Sequence, residues 1–313
     1  MAVQVRPVRR RAVRSRAGAA LVVVGAVLAG CGGEVVEAPD PVPRDASRGP
    51  IVAPPAGGTA RTDPLRARSP ARPVLTITVD QDSAGAVSYR APRTVRGGLV
   101  EIRLRNAGGG AQKAQVWRID GNHTVKEALK ARHPLPDWLR YAGGVGLTRP
   151  GRTGRTLQAL PAGRYYVGGT MEEPGSVASF SVTEPGRAPS PARAPARIEA
   201  IDFSFRASGL RAGPNSVDFD NTGREPHHAF MTRMRDDAEL ADVRRFFTRR
   251  VTTGPPPVDT EVTRETAVLE GGERQVTQMH LAAGRYAVIC FVRNRHGGPL
   301  HLELGMINEV RVR

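Results

Sequence analysis

Cysteine is almost missing from this sequence. Its 313 residues hold two, Cys31 and Cys290, which excludes a small fold stapled by several disulfides. Lysine is nearly as scarce: Lys113, Lys126 and Lys130 are the only three among 46 basic residues. The other cations are arginine, a bias that reads as high-GC codon usage rather than a shaped basic patch. A formal net charge of +16 would suit a nucleic-acid partner, but Arg6, Arg9, Arg10, Arg11, Arg14 and Arg16 supply six of those charges and leave +10 without them. Much of that remainder lies in connecting segments rich in Arg, Pro and Ala, so no nucleic-acid partner is expected. Catalytic signatures are missing as well. There is no Gly-x-Ser-x-Gly, no His-Glu-x-x-His and no phosphate-binding glycine loop. No paired carboxylates stand beside the histidines, and Glu225 and Glu303 read as solvated. These absences argue against a hydrolase, and the chain is expected not to be an enzyme.

The one long apolar stretch lies at the N-terminus. It runs from Ala17 to Leu28, follows the arginine-rich head, and ends in Leu28-Ala29-Gly30-Cys31. About 12 residues is too short to cross a bilayer, which takes roughly 20. Basic head, apolar run and small residues in that order are a secretory signal peptide. The Leu-Ala-Gly-Cys end resembles the bacterial lipobox, which implies cleavage after residue 30 and lipid on Cys31. The expectation is therefore a chain tethered by its lipid to the cell membrane, on the extracytoplasmic face. Basic segments beside such an anchor would lie against anionic head groups. With Cys31 committed to lipid, Cys290 has no partner within the chain. A lone thiol outside the cytoplasm is open to oxidation unless it is buried or occupied. Cys290 then reads either as a small apolar residue in a strand or as a metal ligand.

Composition divides the rest. Residues 31–72 are rich in Pro, Ala, Gly and Arg and cannot bury enough apolar surface to offset their ordering entropy, so they read as a disordered spacer. Residues 185–196 form a Pro/Ala/Arg-rich linker, extended and semi-rigid. Two blocks remain, 73–184 and 197–313, each near the usual length of one domain. They read as copies of each other. Asn106-Ala-Gly108 leads to Gln112-Lys113-Ala-Gln-Val-Trp-Arg118 in the first; Asn221-Thr-Gly223 leads to His227-His228-Ala-Phe-Met-Thr-Arg233 in the second, at the same spacing. A short helical pattern follows in each, Thr124–Arg132 and Asp236–Phe247. Each then returns through Leu160-Pro-Ala-Gly163-Arg-Tyr165 or Leu281-Ala-Ala-Gly284-Arg-Tyr286. A shared order of elements over such a length is a tandem repeat.

Elsewhere the periodicity is two. Val74–Val79, Val100–Arg105, Ala114–Ile119, Val177–Val182, Ala287–Val292 and Met306–Val312 alternate and are rich in β-branched residues. The glycines near Gly108 and Gly143 read as turns at strand ends. Each block is expected to be a β-sandwich with one helical insert. Two separate sandwiches of matching topology are expected, rather than one continuous sheet.

Against this background the second block resembles a known family. Gly284-Arg-Tyr286-Ala-Val-Ile-Cys290 has the Gly-x-Tyr-x-x-x-Cys spacing of plastocyanin-like cupredoxins. His301-Leu-Glu-Leu-Gly305-Met306 has their His-x-x-x-Gly-Met ending, and Asn221-Thr-Gly223-Arg-Glu-Pro226-His227 is similar to the turn that supplies their first histidine. The resemblance implies an all-β fold of two tandem cupredoxin-like Greek-key sandwiches. It also implies a copper site with His227, Cys290, His301 and Met306 as ligands. A trigonal His₂Cys set with a weak axial Met suits one-electron transfer.

The chain departs from the family in two places. Ten residues separate Cys290 from His301, where the family has two to four. His296 offers a shorter spacing without the Gly-Met ending, and the insertion around it contains turn residues that could loop outward. His228 is adjacent to His227, and neighbours in a strand face opposite ways, so one of the two is expected to ligate; Pro226 favours His227. In the first block Gln112 and Gly169 stand where His227 and Cys290 do, so no metal is expected there. His123 and His133 lie near its helical insert, away from the matching positions. The expected function is a lipid-anchored copper protein for electron transfer or copper handling, with a redox or copper-donor protein as partner. The alternative is a cell-surface binding module that uses the same fold without metal.

Overall fold

The computed structural model describes residues 72–170, 175–184, 190–249 and 254–313. The segments expected to be a signal peptide and a lipidated Cys31, and nearly all of the expected spacer, lie outside the described residues, as does part of the expected linker. Among the described residues no helix is long and apolar enough to cross a membrane.

Alternation fixes the strands of the first block. These are β1 (Val74–Gln81), β2 (Val87–Arg90), β3 (Thr94–Arg96), β4 (Gly98–Asn106), β5 (Gln112–Ile119), β6 (Leu139–Thr148), β7 (Thr153–Leu160), β8 (Gly163–Gly168) and β9 (Ala178–Thr183). Leu75, Ile77 and Val79 of β1 and Val100, Ile102 and Leu104 of β4 point into one core. Each such aliphatic side chain contributes roughly 1.5–3 kcal/mol when fully buried. The second block contains β10 (Ala196–Ile201), β11 (Ser204–Ser208), β12 (Gly213–Asn221), β13 (Phe230–Met234), β14 (Val258–Glu265), β15 (Arg274–Leu281), β16 (Gly284–Ile289) and β17 (Ile307–Val312). Its core gathers Ile198, Val217, Phe219, Met231, Tyr286 and Val288, with Cys290 and Met306 among them.

The strand orders correspond. On one face the first block runs β2-β1-β4-β7 and the second β11-β10-β12-β15; on the other face β9-β8-β5-β6 corresponds to β17-β16-β13-β14, with β3 an extra strand beside β9. In both, the first strand pairs parallel with the long strand after it, as β1 with β4 and β10 with β12. The fold class is the one expected: all-β, two Greek-key sandwiches of the cupredoxin-like kind, each with a short helical insert.

Both inserts are shorter or shifted relative to the sequence pattern. α1 covers only Val125–Ala128, started by a capping box in which Glu127 N–H donates to Thr124 Oγ1 while Glu127 Oε2 accepts from Thr124 N–H. α2 covers Leu240–Arg249.

The sheets are not separate. The edge strands β7 and β15 pair through Thr156↔Thr277, Leu157↔Val276 and Gln158↔Gln275, so the two faces merge into one eight-stranded sheet. Gly143 also lies elsewhere than the sequence suggested: it and Gly144 and Gly146 sit inside β6, not in a turn. The reason is close approach. A side chain on Gly146 would place its Cβ 1.5 Å from the Glu265 carbonyl oxygen, and one on Gly144 would meet the Ala114 carbonyl at 2.1 Å. Glycine in β6 lets the backbone of the second block pack directly against it. Gln115 completes the join: its Oε1 accepts from Val268 N–H at 2.8 Å and its Nε2 donates to Val268 O at 3.1 Å.

Candidate metal centre

The turn between β12 and β13 delivers His227. Asn221 shapes it, donating from Nδ2 to Glu225 O (2.8 Å) and Leu269 O (3.0 Å) while Oδ1 accepts from Gly223 N–H (3.1 Å). Asn106 makes the equivalent three bonds in the first block. His227 is then held by reciprocal main-chain bonds with Leu269, at 3.0 and 2.9 Å. Cys290 immediately follows β16. Its N–H donates to Met306 O (3.2 Å), its carbonyl accepts from Leu302 N–H (3.0 Å), and Met306 N–H donates to His301 O (2.9 Å). The strand end and the following turn are thus locked to each other before any side chain is considered.

These elements bring three donor side chains together. His227 Nδ1 and His301 Nδ1 are 3.0 Å apart, Cys290 Sγ is 3.4 Å from His301 Nδ1, and Cys290 Sγ is 3.7 Å from His227 Nδ1. All three residues are 0 % exposed, and they are the only such group of metal-ligating side chains among the described residues. Metal–ligand bonds of roughly 2.0–2.3 Å leave neighbouring donors about 3–4 Å apart, so the three fit one ion. Met306 is fully buried in the same cluster as Cys290.

The outer ring nitrogens decide what the inner ones present. His227 Nε2 is 2.8 Å from Asp202 Oδ1, and a carboxylate can only accept, so Nε2 carries the proton. His301 Nε2 donates likewise to Asn294 Oδ1 at 2.9 Å. Both Nδ1 atoms therefore turn lone pairs toward each other and toward sulfur. Two acceptors at hydrogen-bond distance with no proton between them repel, and a cation at the centre removes the conflict. A proton is a poor candidate for that cation. Burial pushes His301 down to about 3, with the His227 charge adding to the effect. Burial also lowers His227, against the pull of Asp202. Burial pushes the Cys290 thiol up to about 12. Asp202 stays ionised: burial raises it, but N–H groups of Arg224 and Glu225 and the His227 ring outweigh that.

The other histidines are placed differently. His228 accepts from Phe291 N–H at Nε2 (3.0 Å) and donates from Nδ1 to Glu265 Oε1 (3.0 Å), so both its ring nitrogens are already in use. His296 is exposed on the insertion. His123 stacks on Trp138 with ring centroids 4.0 Å apart. In the first block, strand pairing sets Arg118 opposite Tyr165 as Arg233 is set opposite Tyr286. Counting back from those pairs puts Gln112 at the position of His227, and counting forward puts Gly169 at that of Cys290.

Sequence reasoning did not find Asp202 or Asn294. Asp202 lies 25 residues before His227, in the turn between β10 and β11, and only the sheet brings them together. Asn294 sits in the insertion, where a turn residue carries no mark of its role. Phe203, next to Asp202, stands edge-on to both rings, with centroids 6.3 Å from His227 and 5.0 Å from His301.

No protein-family description and no curated protein matches the chain. Solved structures do. Auracyanin B is 25% identical, with 37% of this chain and 86% of that one covered and a TM-score of 0.25. Reduced auracyanin from the photosynthetic bacterium Roseiflexus castenholzii is 21% identical, covering 37% and 94%, with a TM-score of 0.24. A multicopper oxidase is 12% identical, covering 77% and 88%, with a TM-score of 0.20.

Proposed function

We propose that the second block binds one copper ion through His227, Cys290 and His301, with Met306 as a weak axial ligand, and serves in electron transfer. The observation that carries this reading is the pair of inward lone pairs on His227 and His301, 3.0 Å apart and facing a buried thiol. Imidazole and thiolate together suit copper, which the site would pass between oxidation states with little rearrangement. Burial of all three donors favours electron transfer over copper delivery or catalysis, because no ligand position opens to solvent or to a substrate. His227 and His301 are oriented in advance by Asp202 and Asn294, as outer partners of metal-bound histidines usually are. The partner on this reading is a redox protein.

The test is titration of the full chain with copper while proton uptake and visible absorption are followed. Because the thiol is protonated to about 12 and the His301 ring stays neutral down to about 3, binding near neutral pH should displace about one proton per copper, from Cys290. Affinity should then rise about tenfold per pH unit through the neutral range, since only the thiol competes there. Weak binding at several sites, without proton release or an intense visible band, would leave the metal-free binding module as the better reading.

We also propose that lipid on Cys31 tethers the chain to the extracytoplasmic face of the membrane, which the leader and lipobox support. Metabolic labelling with a fatty-acid analogue should mark the native chain and not Cys31→Ala; equal label on both would overturn the anchor.

A further inference from the structure

The insertion between Cys290 and His301 does not loop freely into solvent. It folds back as a hairpin closed by an Arg293↔Leu300 bridge and lies against the first block. Asn294 faces inward, and its Oδ1 accepts a hydrogen bond from His301 Nε2–H at 2.9 Å. The next residue, Arg295, faces the other way. Its N–H donates to Glu225 Oε2 at 2.8 Å, two residues before His227, and its carbonyl accepts from Leu135 N–H at 2.8 Å. Its guanidinium donates to Pro136 O at 2.8 Å, to Leu139 O and to Glu270 Oε1. The Arg295 and Glu270 side chains are 14% and 5% exposed, so this is a desolvated ion pair rather than a surface contact.

The platform under Arg295 is buried and packed. Leu135 and Leu139 pack with Trp117, Tyr141 and Tyr166 in a cluster of the first block, and Glu270 also accepts from Tyr141 N–H at 2.9 Å. Close-packed interiors transmit position because they do not deform smoothly. The 134–139 segment therefore fixes Arg295, and with it the adjoining Asn294.

We propose that Arg295 is a positioning residue for the metal centre, through which the first block sets Asn294 and so orients the ring of His301. This rests on the copper reading for its purpose, but the arrangement exists in the metal-free chain and can be tested there. Nitrogen-edited spectra of the histidine rings in the metal-free full chain should show His301 protonated at Nε2 and slow to exchange. In Arg295→Ala and Asn294→Ala that protection should be lost and the two ring tautomers should mix. Copper affinity should fall about 10–100-fold in each, as for other outer partners of metal-bound histidines. The double variant should be no weaker than either single one, because both act on one path. Arg295→Lys keeps the charge and stem but not the planar fork, so it should fold and still fail to restore affinity; it also carries the test if Arg295→Ala does not fold. An unchanged His301 tautomer and unchanged affinity in a merely less stable Arg295 variant would overturn the proposal, as would additive losses in the double variant. If the native chain takes up no copper, the copper reading falls, and the ring spectra alone still decide whether Arg295 positions His301.

Discussion

Cys290→Ser should abolish the visible band of the copper-loaded chain and weaken copper binding by more than about 100-fold, the upper end of what losing an outer partner costs. The expectation follows from what sulfur supplies. Cys290 lies 3.4 and 3.7 Å from the two inward nitrogens, and it is the only group of the three that can bring a negative charge to the centre. Serine keeps the shape to within one atom but does not ionise in that environment. Its main-chain bonds to Met306 and Leu302 are untouched, so the variant should fold with its β-sheet signature intact. Proton release on titration should disappear with the thiol. Undiminished one-to-one uptake by the serine variant would sink the site, because the two histidines alone would then account for binding.

The second large effect is on stability. Glu265 is buried between the two blocks, accepting from Lys113 Nζ of the first at 2.6 Å and from His228 Nδ1 of the second at 3.0 Å. By register, Lys113 and His228 occupy equivalent positions in the two copies, so one carboxylate joins both. Burial would raise its pKa, but the Lys113 charge and the His228 hydrogen bond outweigh it and hold it down to about 2.

Glu265→Gln leaves Lys113 without its counter-charge, and removing one partner of a buried pair costs about 3–5 kcal/mol. The Lys113 side chain is 27% exposed, which places the expected loss at the low end. The pH dependence has a definite sign. A carboxylate whose pKa is depressed on folding stabilises the protein above its unfolded value, near 4.5, and that stabilisation is lost as pH falls toward about 2. A shift of that size corresponds to about 3 kcal/mol. Denaturant unfolding at pH 7 should therefore separate the native chain from Glu265→Gln by about that amount, and the gap should close by pH 2. A gap that persists unchanged into acid would show that the loss comes from packing and not from charge.

The residues that were legible in the sequence are those whose role is set by local spacing. Gly284, Tyr286 and Cys290 lie on one strand and its end, and His301 and Met306 lie on one turn. The alternation of Val100, Ile102 and Leu104 reveals β4 because half-buried strands must alternate. What could not be read depends on pairing between distant segments. Asp202 reaches His227 only because β10 and β12 lie side by side. Gly143 reads as a turn because glycine is ambiguous by itself; only its left-handed φ and the side chains of Gln158, Gln275 and Leu269 crowding the place of a Cβ explain it inside a strand. The insertion 291–300 has the composition of a solvent loop, and Arg295 looks like one arginine among many. Its importance comes from carbonyls of Pro136 and Leu139, more than 150 residues away.

The β7–β15 join has a further consequence. Two separate copies meeting along the same three residue pairs would hold together only above some concentration and would come apart on dilution. Fusion in one chain replaces that concentration with a fixed local one set by the length and stiffness of the connection, so even a weak seam stays closed. It also occupies an edge strand on each half that would otherwise be a template for unwanted pairing. One half can then serve as the permanently bound neighbour against which the other half is held in shape.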